Sequence, residues 1–224
     1  MSIFCLVHGA FEGRWCWDLL IPYLEAQGHK TIAMDLPIEN AEATLSEFAS
    51  IVIQAIPKTD DDIVLVGHSM AGTIIPLVAE VLLVRQLVFL TGLIPHPGIS
   101  TIEQLDLEPN IFEAATTGKD FTDEAVLMEF FFHDCQPDVA RWAISKQREQ
   151  KSTAHLFEKN PLKALPSVEC KYIVGTDDRI ISPAWSRYAA RKRLGVDAIE
   201  LPSGHYPHLS CPELLAPLLM DCGT

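Results

Sequence analysis

Ser69 lies in Gly67-His68-Ser69-Met70-Ala71, directly after the apolar run Ile63-Val64-Leu65-Val66 and ahead of a helix-like stretch that ends near Glu80. Strand, sharp turn and helix with a serine at the apex is the setting in which a G-x-S-x-small pattern presents a nucleophile. The last position is Ala71 instead of glycine, although Gly72 follows, and alanine is still small. A serine hydroxyl attacks poorly at neutral pH unless a base takes its proton. His205, in Pro202-Ser203-Gly204-His205 after the strand-like Ala198-Ile199-Glu200-Leu201, is the candidate base. Asp177 and Asp178, after Tyr172-Ile173-Val174-Gly175-Thr176, are candidates to orient it. The chain opens with an apolar run, Ile3-Phe4-Cys5-Leu6-Val7, that enters His8-Gly9-Ala10-Phe11, a loop able to offer backbone N–H groups to an oxyanion. Together these parts predict acyl transfer through a covalent intermediate.

Each position has a competitor. Asp177 competes with Asp178, and a turn or cap carboxylate is the plain structural reading of Asp177. His208 competes with His205, but the expected place for the base is directly after the strand, so His208 reads as a pocket or cap-facing residue. Spacing does not separate Ala10 from Phe11 as the first oxyanion donor. His8 and His68 read as structural or loop-orienting, with no spacing that suggests a metal. His133-Asp134 reads as a local hydrogen-bonded pair. No acid follows the fourth strand until Glu103, because Thr91-Gly92-Leu93-Ile94-Pro95 carries none.

Strand candidates begin near Ile3, Lys30, Ile63, Leu87, Cys170 and Ala198 and alternate with helix-like segments. Leu45, Phe48, Ala49, Val52, Ile53 and Ile56 follow helical spacing behind a Thr44-x-x-Glu47 capping box. Ser182-Pro183 predicts a further helix start, and Ser210 with Pro212 the last. This alternation implies a mostly parallel, roughly six-stranded sheet with helices on both faces and ligand binding beyond the carboxyl ends of the strands. A region from about 105 to 166 breaks the pattern. Within it, Asp123-Glu124 and Pro137-Asp138 predict helix starts, and Phe130, Phe131, Phe132, Trp142 and Phe157 could roof a pocket or simply pack onto the sheet.

The chain has 224 residues, 48% of them hydrophobic, enough for one sizeable core. A net charge of −13 argues against nucleic acid or an anionic membrane as partner. No apolar run approaches the roughly 20 residues of a membrane span, and no export signal opens the sequence. The six cysteines, at positions 5, 16, 135, 170, 211 and 222, show no C-x-x-C pairing and read as free thiols of a cytoplasmic protein. Zinc is not expected, nor is any cofactor. Oligomeric state is left open.

The chain resembles compact α/β-hydrolases of the branch that contains plant methylesterases and hydroxynitrile lyases, together with bacterial esterase-like relatives. The likeness runs over nearly the whole length. It is carried by the HGA-x-x-G-x-W-x-W opening, Asp35-Leu36-Pro37, GHSMAG, Asp178-Arg179-Ile180-Ile181-Ser182-Pro183 and Gly204-His205 through Leu209-Ser210, with the order Ser, Asp, His. The middle matches more weakly, as the variable cap of such enzymes does. The resemblance implies a single minimal α/β-hydrolase domain over residues 1–224, with Ser69, His205 and Asp178 as catalytic triad and the Ala10 and Met70 N–H groups as oxyanion hole. It implies no cofactor and a small-molecule ester as partner. Related hydroxynitrile lyases carry a lysine after the catalytic histidine and a hydroxyl residue in the oxyanion loop. Here those positions hold Tyr206 and Gly9, which favours ester hydrolysis over lyase chemistry. A small-ligand receptor on the same fold is the third reading.

Overall fold

The computed structural model describes residues 1–221. Six strands form one sheet: β1 (Ser2–Val7), β2 (Lys30–Ala33), β3 (Asp62–His68), β4 (Gln86–Leu90), β5 (Glu169–Gly175) and β6 (Ile199–Leu201). Their order is β2-β1-β3-β4-β5-β6, and every neighbouring pair is parallel. Each start lies within one residue of the position its apolar run predicts.

The central strands are apolar on both sides, as a sheet covered on two faces requires. Side chains alternate along a strand, so Cys5, Leu65, Phe89 and Tyr172 enter one core while Phe4, Leu6, Val66, Val88 and Ile173 enter the other. The first core is closed by α2 (Leu45–Ala55), α3 (Ile75–Ala79) and α8 (Pro183–Ala189), through Phe48, Val52, Ile75, Val78 and Trp185. The second is closed by α1 (Ile21–Glu25) and α10 (Pro212–Met220), through Leu24, Leu215 and Leu219. The predicted capping box is complete: the Glu47 N–H donates to Thr44 Oγ1 and the Thr44 N–H to the Glu47 carboxylate. Pro183 opens α8 after Ser182.

Helix α10 begins one residue later than expected, with Cys211 rather than Ser210 at its N-cap. Ser210 instead closes a separate short helix, α9 (Pro207–Ser210). The residue before a proline is driven out of the helical region, which places the break at Cys211.

The connection from β4 to β5 holds α4 (Thr101–Leu107), α5 (Glu124–Phe130), α6 (Pro137–Lys146) and α7 (Ala154–Phe157). Asp123 caps α5 and Pro137 opens α6, as predicted. The aromatic roof is built differently. Phe130 and Phe132 are buried in the core and Trp142 packs edge-on against Trp15, whereas Phe157 is 65% exposed. Of the five aromatics, only Phe131 lines the central cavity, together with Phe112 and Phe121. No helix among the described residues is long and apolar enough to cross a membrane. Cys5, Cys16, Cys135, Cys170 and Cys211 are free thiols, and Cys222 lies outside the described residues.

Candidate active site

The chain order of the sheet reverses at β1, which lies between β2 and β3, and ligands of open parallel sheets sit beyond the strand ends at such a reversal. Val7 and Gly67 are register partners there, so the His8-Gly9-Ala10-Phe11 loop leaves β1 alongside the serine turn that leaves β3. Among the described residues, three non-glycine residues adopt positive φ: Phe11 at 64°, Ser69 at 52° and Thr91 at 40°. They follow three adjacent strands, and each such backbone costs on the order of 1–2 kcal/mol. Neighbouring chain holds them. The Thr91 N–H donates to the Ile173 carbonyl, and the Leu93 N–H to the Ser69 carbonyl.

Close approach of strand and helix makes the serine turn possible. A Cβ on Gly67 would meet the Ala71 carbonyl oxygen at 2.8 Å, and one on Gly72 would stand 2.0 Å from that of Leu93. Gly72 therefore performs the close-packing role, and Ala71 is accommodated without strain. A short 3-10 helix, Ser69–Thr73, follows the turn.

Ser69, His205 and Asp178 form a hydrogen-bonded chain. Ser69 Oγ lies 3.1 Å from His205 Nε2, and His205 Nδ1 lies 2.8 Å from Asp178 Oδ2. The other carboxylate oxygen, Oδ1, accepts the N–H groups of Ile180 at 2.8 Å and Ile181 at 3.1 Å. A carboxylate held by two backbone donors cannot rotate freely. Its Oδ2 accepts a hydrogen bond from Nδ1–H, which leaves Nε2 to accept from the serine. Asp177 stands apart, its carboxylate accepting from Thr176 Oγ1 at 3.3 Å and from no other described residue.

The N–H groups of Ala10 and Phe11 have different surroundings. The Phe11 N–H is directed to Gln150 Oε1 at 3.4 Å, while that of Ala10 has no acceptor among the described residues. Met70 follows the N-terminal Ser69 of its 3-10 helix, where N–H groups lack intrahelical acceptors.

Beneath the two loops lies a group that sequence reasoning did not single out. Glu12 is completely buried, and its Oε2 accepts the Gly9 N–H at 2.5 Å and faces His68 Nδ1 at 3.0 Å. His68 Nε2 donates to the carbonyl of His205 at 2.9 Å, and Thr91 Oγ1 donates to the same oxygen at 3.0 Å. Burial works against charge on both partners of the pair. Their mutual attraction outweighs it, holding Glu12 well below the usual carboxylate range and raising His68. The pair is thus an ion pair that ties the loop of residues 9–11 to the loop of His205. A lone carboxylate inside an otherwise small and apolar opening segment was the available signal for it.

Two expectations are corrected here. His208 is not a pocket or cap-facing residue: it is fully buried, its ring tilted 35° to that of Trp17 at 4.5 Å between centroids, with Nε2 3.7 Å from Glu12 Oε1. Burial pushes it down to about 4, so it stays neutral beside the charged His68. His133 and Asp134 do not pair with each other. His133 Nε2 donates to the Asp177 carbonyl and Asp134 Oδ2 accepts the Gly204 N–H at 2.6 Å, so both brace the loops that carry Asp178 and His205. His8, as expected, orients a loop, its Nε2 accepting the Leu36 N–H at 2.9 Å.

Among the described residues, Glu12, Cys16 and His208 are the single group of three whose donor atoms could meet at a metal, lying within 4.8 Å of one another. All three are completely buried, and burial keeps the proton on the Cys16 thiol, so the triplet reads as the packed floor of the loop.

A cavity of about 380 Å³ opens above Ser69 and His205 under the cap. Its walls include Met70, Leu93, Leu105, Phe121, Phe131 and Ile181, and no Lys, Arg, Asp or Glu lines it.

A parallel sheet of this order, with a serine at a strained strand-to-helix turn and a histidine and an aspartate from later strand ends, defines the α/β-hydrolase architecture. The chain belongs to the alpha/beta hydrolase family, whose model matches residues 6–218. It is 27% identical to a pyrethroid hydrolase of Sphingobium wenxiniae, over 96% of this chain and 85% of that one. It is also 27% identical to salicylic acid-binding protein 2 of Nicotiana tabacum, over 97% and 95% of the two chains. The crystal structure of polyneuridine aldehyde esterase superposes with a TM-score of 0.83 at 22% identity, covering 99% of this chain and 98% of that one.

Proposed function

We propose that this protein is a serine carboxylesterase that cleaves small to medium, largely apolar esters through an acyl-enzyme. The carrying observation is the Ser69–His205–Asp178 hydrogen-bonded chain on the floor of an uncharged cavity. Ser69 Oγ attacks the ester carbonyl while His205 Nε2 takes its proton. Asp178 holds the imidazole and stabilises the imidazolium that forms. The N–H groups of Ala10 and Met70 receive the developing oxyanion, where removal of one donor typically costs about a hundredfold or more in turnover. His205 then returns the proton to the leaving alkoxide. Water, activated by the same histidine, releases the acid. No cofactor enters these steps.

Relatives named as esterases and hydrolases support the reaction class. Two features favour hydrolysis over lyase chemistry. Burial raises Tyr206 well above its ordinary value, so the residue after His205 carries no charge that could stabilise a leaving anion. A Cβ on Gly9 would stand 2.9 Å from that of Ser69, so the oxyanion loop has no room for a hydroxyl-bearing side chain in this arrangement. We place the chemistry in one domain, residues 1–224, with residues from about 105 to 166 as its cap. Five free thiols fit a reducing, cytoplasmic setting, and the net charge of −13 fits neither a nucleic-acid nor a membrane partner.

The test is release of p-nitrophenol from short and medium acyl esters by the wild type and by Ser69→Ala. Turnover in the wild type that vanishes in the folded variant is expected. Retained turnover in Ser69→Ala would sink the mechanism, and no turnover in a folded wild type would move the reading to a lyase or receptor.

A further inference from the structure

Several polar side chains in the cavity wall belong to no part of this mechanism, and one of them is a histidine. His155, on the four-residue helix α7, is buried beside the ring of Phe48, 5.2 Å away between centroids. Its Nδ1 lies 2.9 Å from Ser152 Oγ. That hydroxyl has one proton, and it is given to the Ala43 carbonyl at 2.8 Å, an oxygen that can only accept. Toward His155 the hydroxyl therefore accepts, so the ring proton sits on Nδ1. Burial pushes His155 down to about 4 against the opposing pull of Glu158, which keeps the ring neutral. Nε2 is then a bare lone pair, and it has no partner among the described residues.

The geometry points to a substrate-recognition role: we propose that His155 Nε2 accepts a hydrogen bond from a neutral O–H or N–H group of the ester, so that the enzyme's substrates are esters carrying such a donor beyond the reacting carbonyl. This rests on the esterase reading and names its substrate class. Histidine is larger and more polar than a wall needs, and Ser152 fixes this cavity-lining ring in the tautomer whose Nε2 accepts. A positively charged donor is disfavoured because the cavity offers no carboxylate to accompany it. A purely apolar ester would fill the same space and strip water from Nε2 without replacing its hydrogen bond. A site built to bond a substrate hydroxyl discriminates against the analogue lacking it by about tenfold or more, since its own polar group is left unpaired.

The experiment is a set of p-nitrophenyl alkanoates with a hydroxyl moved along the acyl chain, each compared with its deoxy parent by kcat/KM, on wild type, His155→Phe and His155→Gln. A second arm measures calorimetric binding of the matching methyl ketones, with and without the hydroxyl, to Ser69→Ala, which needs no turnover. A third reads the wild-type His155 ring by nitrogen NMR. Expected are a wild-type preference of about tenfold or more for one hydroxyl position, its collapse toward unity in His155→Phe, partial retention in His155→Gln, and a proton on Nδ1 alone. A wild type with no preferred position in either arm, a preference undiminished in His155→Phe, or a proton on Nε2 would overturn the inference. If no ester is hydrolysed but the ketones show the preference, the esterase reading falls and the recognition role stands.

Discussion

Replacing Glu12 by Gln changes one atom's chemistry and nothing in its size, yet the structure predicts a large effect. Oε2 alone accepts the Gly9 N–H and faces the His68 Nδ1 proton. Nε2 of His68 is committed to donating to the His205 carbonyl, so Nδ1 carries its proton only as part of an imidazolium. A Gln oxygen in that place keeps Gly9 but leaves a buried cation without its counter-charge. A Gln NH2 in that place can donate to a neutral His68 but points its protons at the Gly9 N–H. One contact is lost either way. Removing one partner of a buried ion pair costs about 3–5 kcal/mol, and since Gln retains one contact the lower end, about 3 kcal/mol, is expected. Gly9 directly precedes Ala10, and a misplacement of about 1 Å in a reacting geometry costs on the order of a hundredfold. The variant should therefore lose about tenfold to a hundredfold in kcat, with KM little changed. The pH dependence follows from the signs. Glu12 is lowered from an ordinary 4.5, so its stabilisation is present above that pH and is lost as pH falls through the depressed folded value. His68 is raised from 6.5, so its stabilisation is complete below 6.5 and is lost as pH rises through the elevated folded value. The gap between wild type and Glu12→Gln is widest between these two ordinary values. Urea unfolding at pH 5.5 and at pH 9, with steady-state ester hydrolysis, measures both effects. Equal unfolding midpoints at pH 5.5 together with unchanged kcat would refute the reasoning.

Asp178→Asn should lower kcat by about four orders of magnitude, as loss of the orienting carboxylate does elsewhere, while Asp177→Asn stays near wild type; equal losses in the two would reverse the assignment. Gly72→Ala puts a methyl group 2.0 Å from the Leu93 carbonyl oxygen and should open the serine turn, so that both melting temperature and labelling by an organophosphonate probe fall. Asp134→Ala removes the acceptor of the Gly204 N–H and should cost about 1–3 kcal/mol, with kcat falling more than KM rises; an unchanged thermal midpoint would show that this brace is dispensable.

Local signals carried much of the architecture. The strands announce themselves as apolar runs because both sheet faces are covered, and Thr44 with Glu47 marks a helix start within four residues of chain. Ser69, Asp178 and His205 stand out in the sequence because each lies shortly after a strand end, and the structure brings the three within hydrogen-bonding distance. What was not legible depends on long-range meetings. Glu12, His68 and His208 come from three separate segments, and only their assembly shows that a carboxylate is buried and ionised there. Sequence neighbours His133 and Asp134 looked like a pair, but the Asp177 carbonyl and the Gly204 N–H compete for them successfully. His155 and Phe157 stand two positions apart on one helical turn, which sends the histidine inward and the phenylalanine to solvent. Residue type alone suggests the opposite.

Arg148 follows α6 in the chain and reaches across the mouth of the oxyanion loop. Its backbone N–H donates to the Phe11 carbonyl at 2.8 Å, and its guanidinium reaches the carbonyls of Glu12 at 3.1 Å and Leu36 at 2.9 Å as well as the Glu39 carboxylate. The cap on this side is therefore not a door that swings clear of the catalytic floor. Lifting it would drag residues 11 and 12 with it and dismantle the anion-binding geometry. The far side is pinned as well, since the Glu113 N–H donates to the Ile180 carbonyl at 2.9 Å and the Ser182 N–H to the Ile111 carbonyl at 2.8 Å. On the Arg148 side, then, the cap cannot open without moving the backbone of residues 11 and 12, so an enzyme caught open there is also an enzyme switched off.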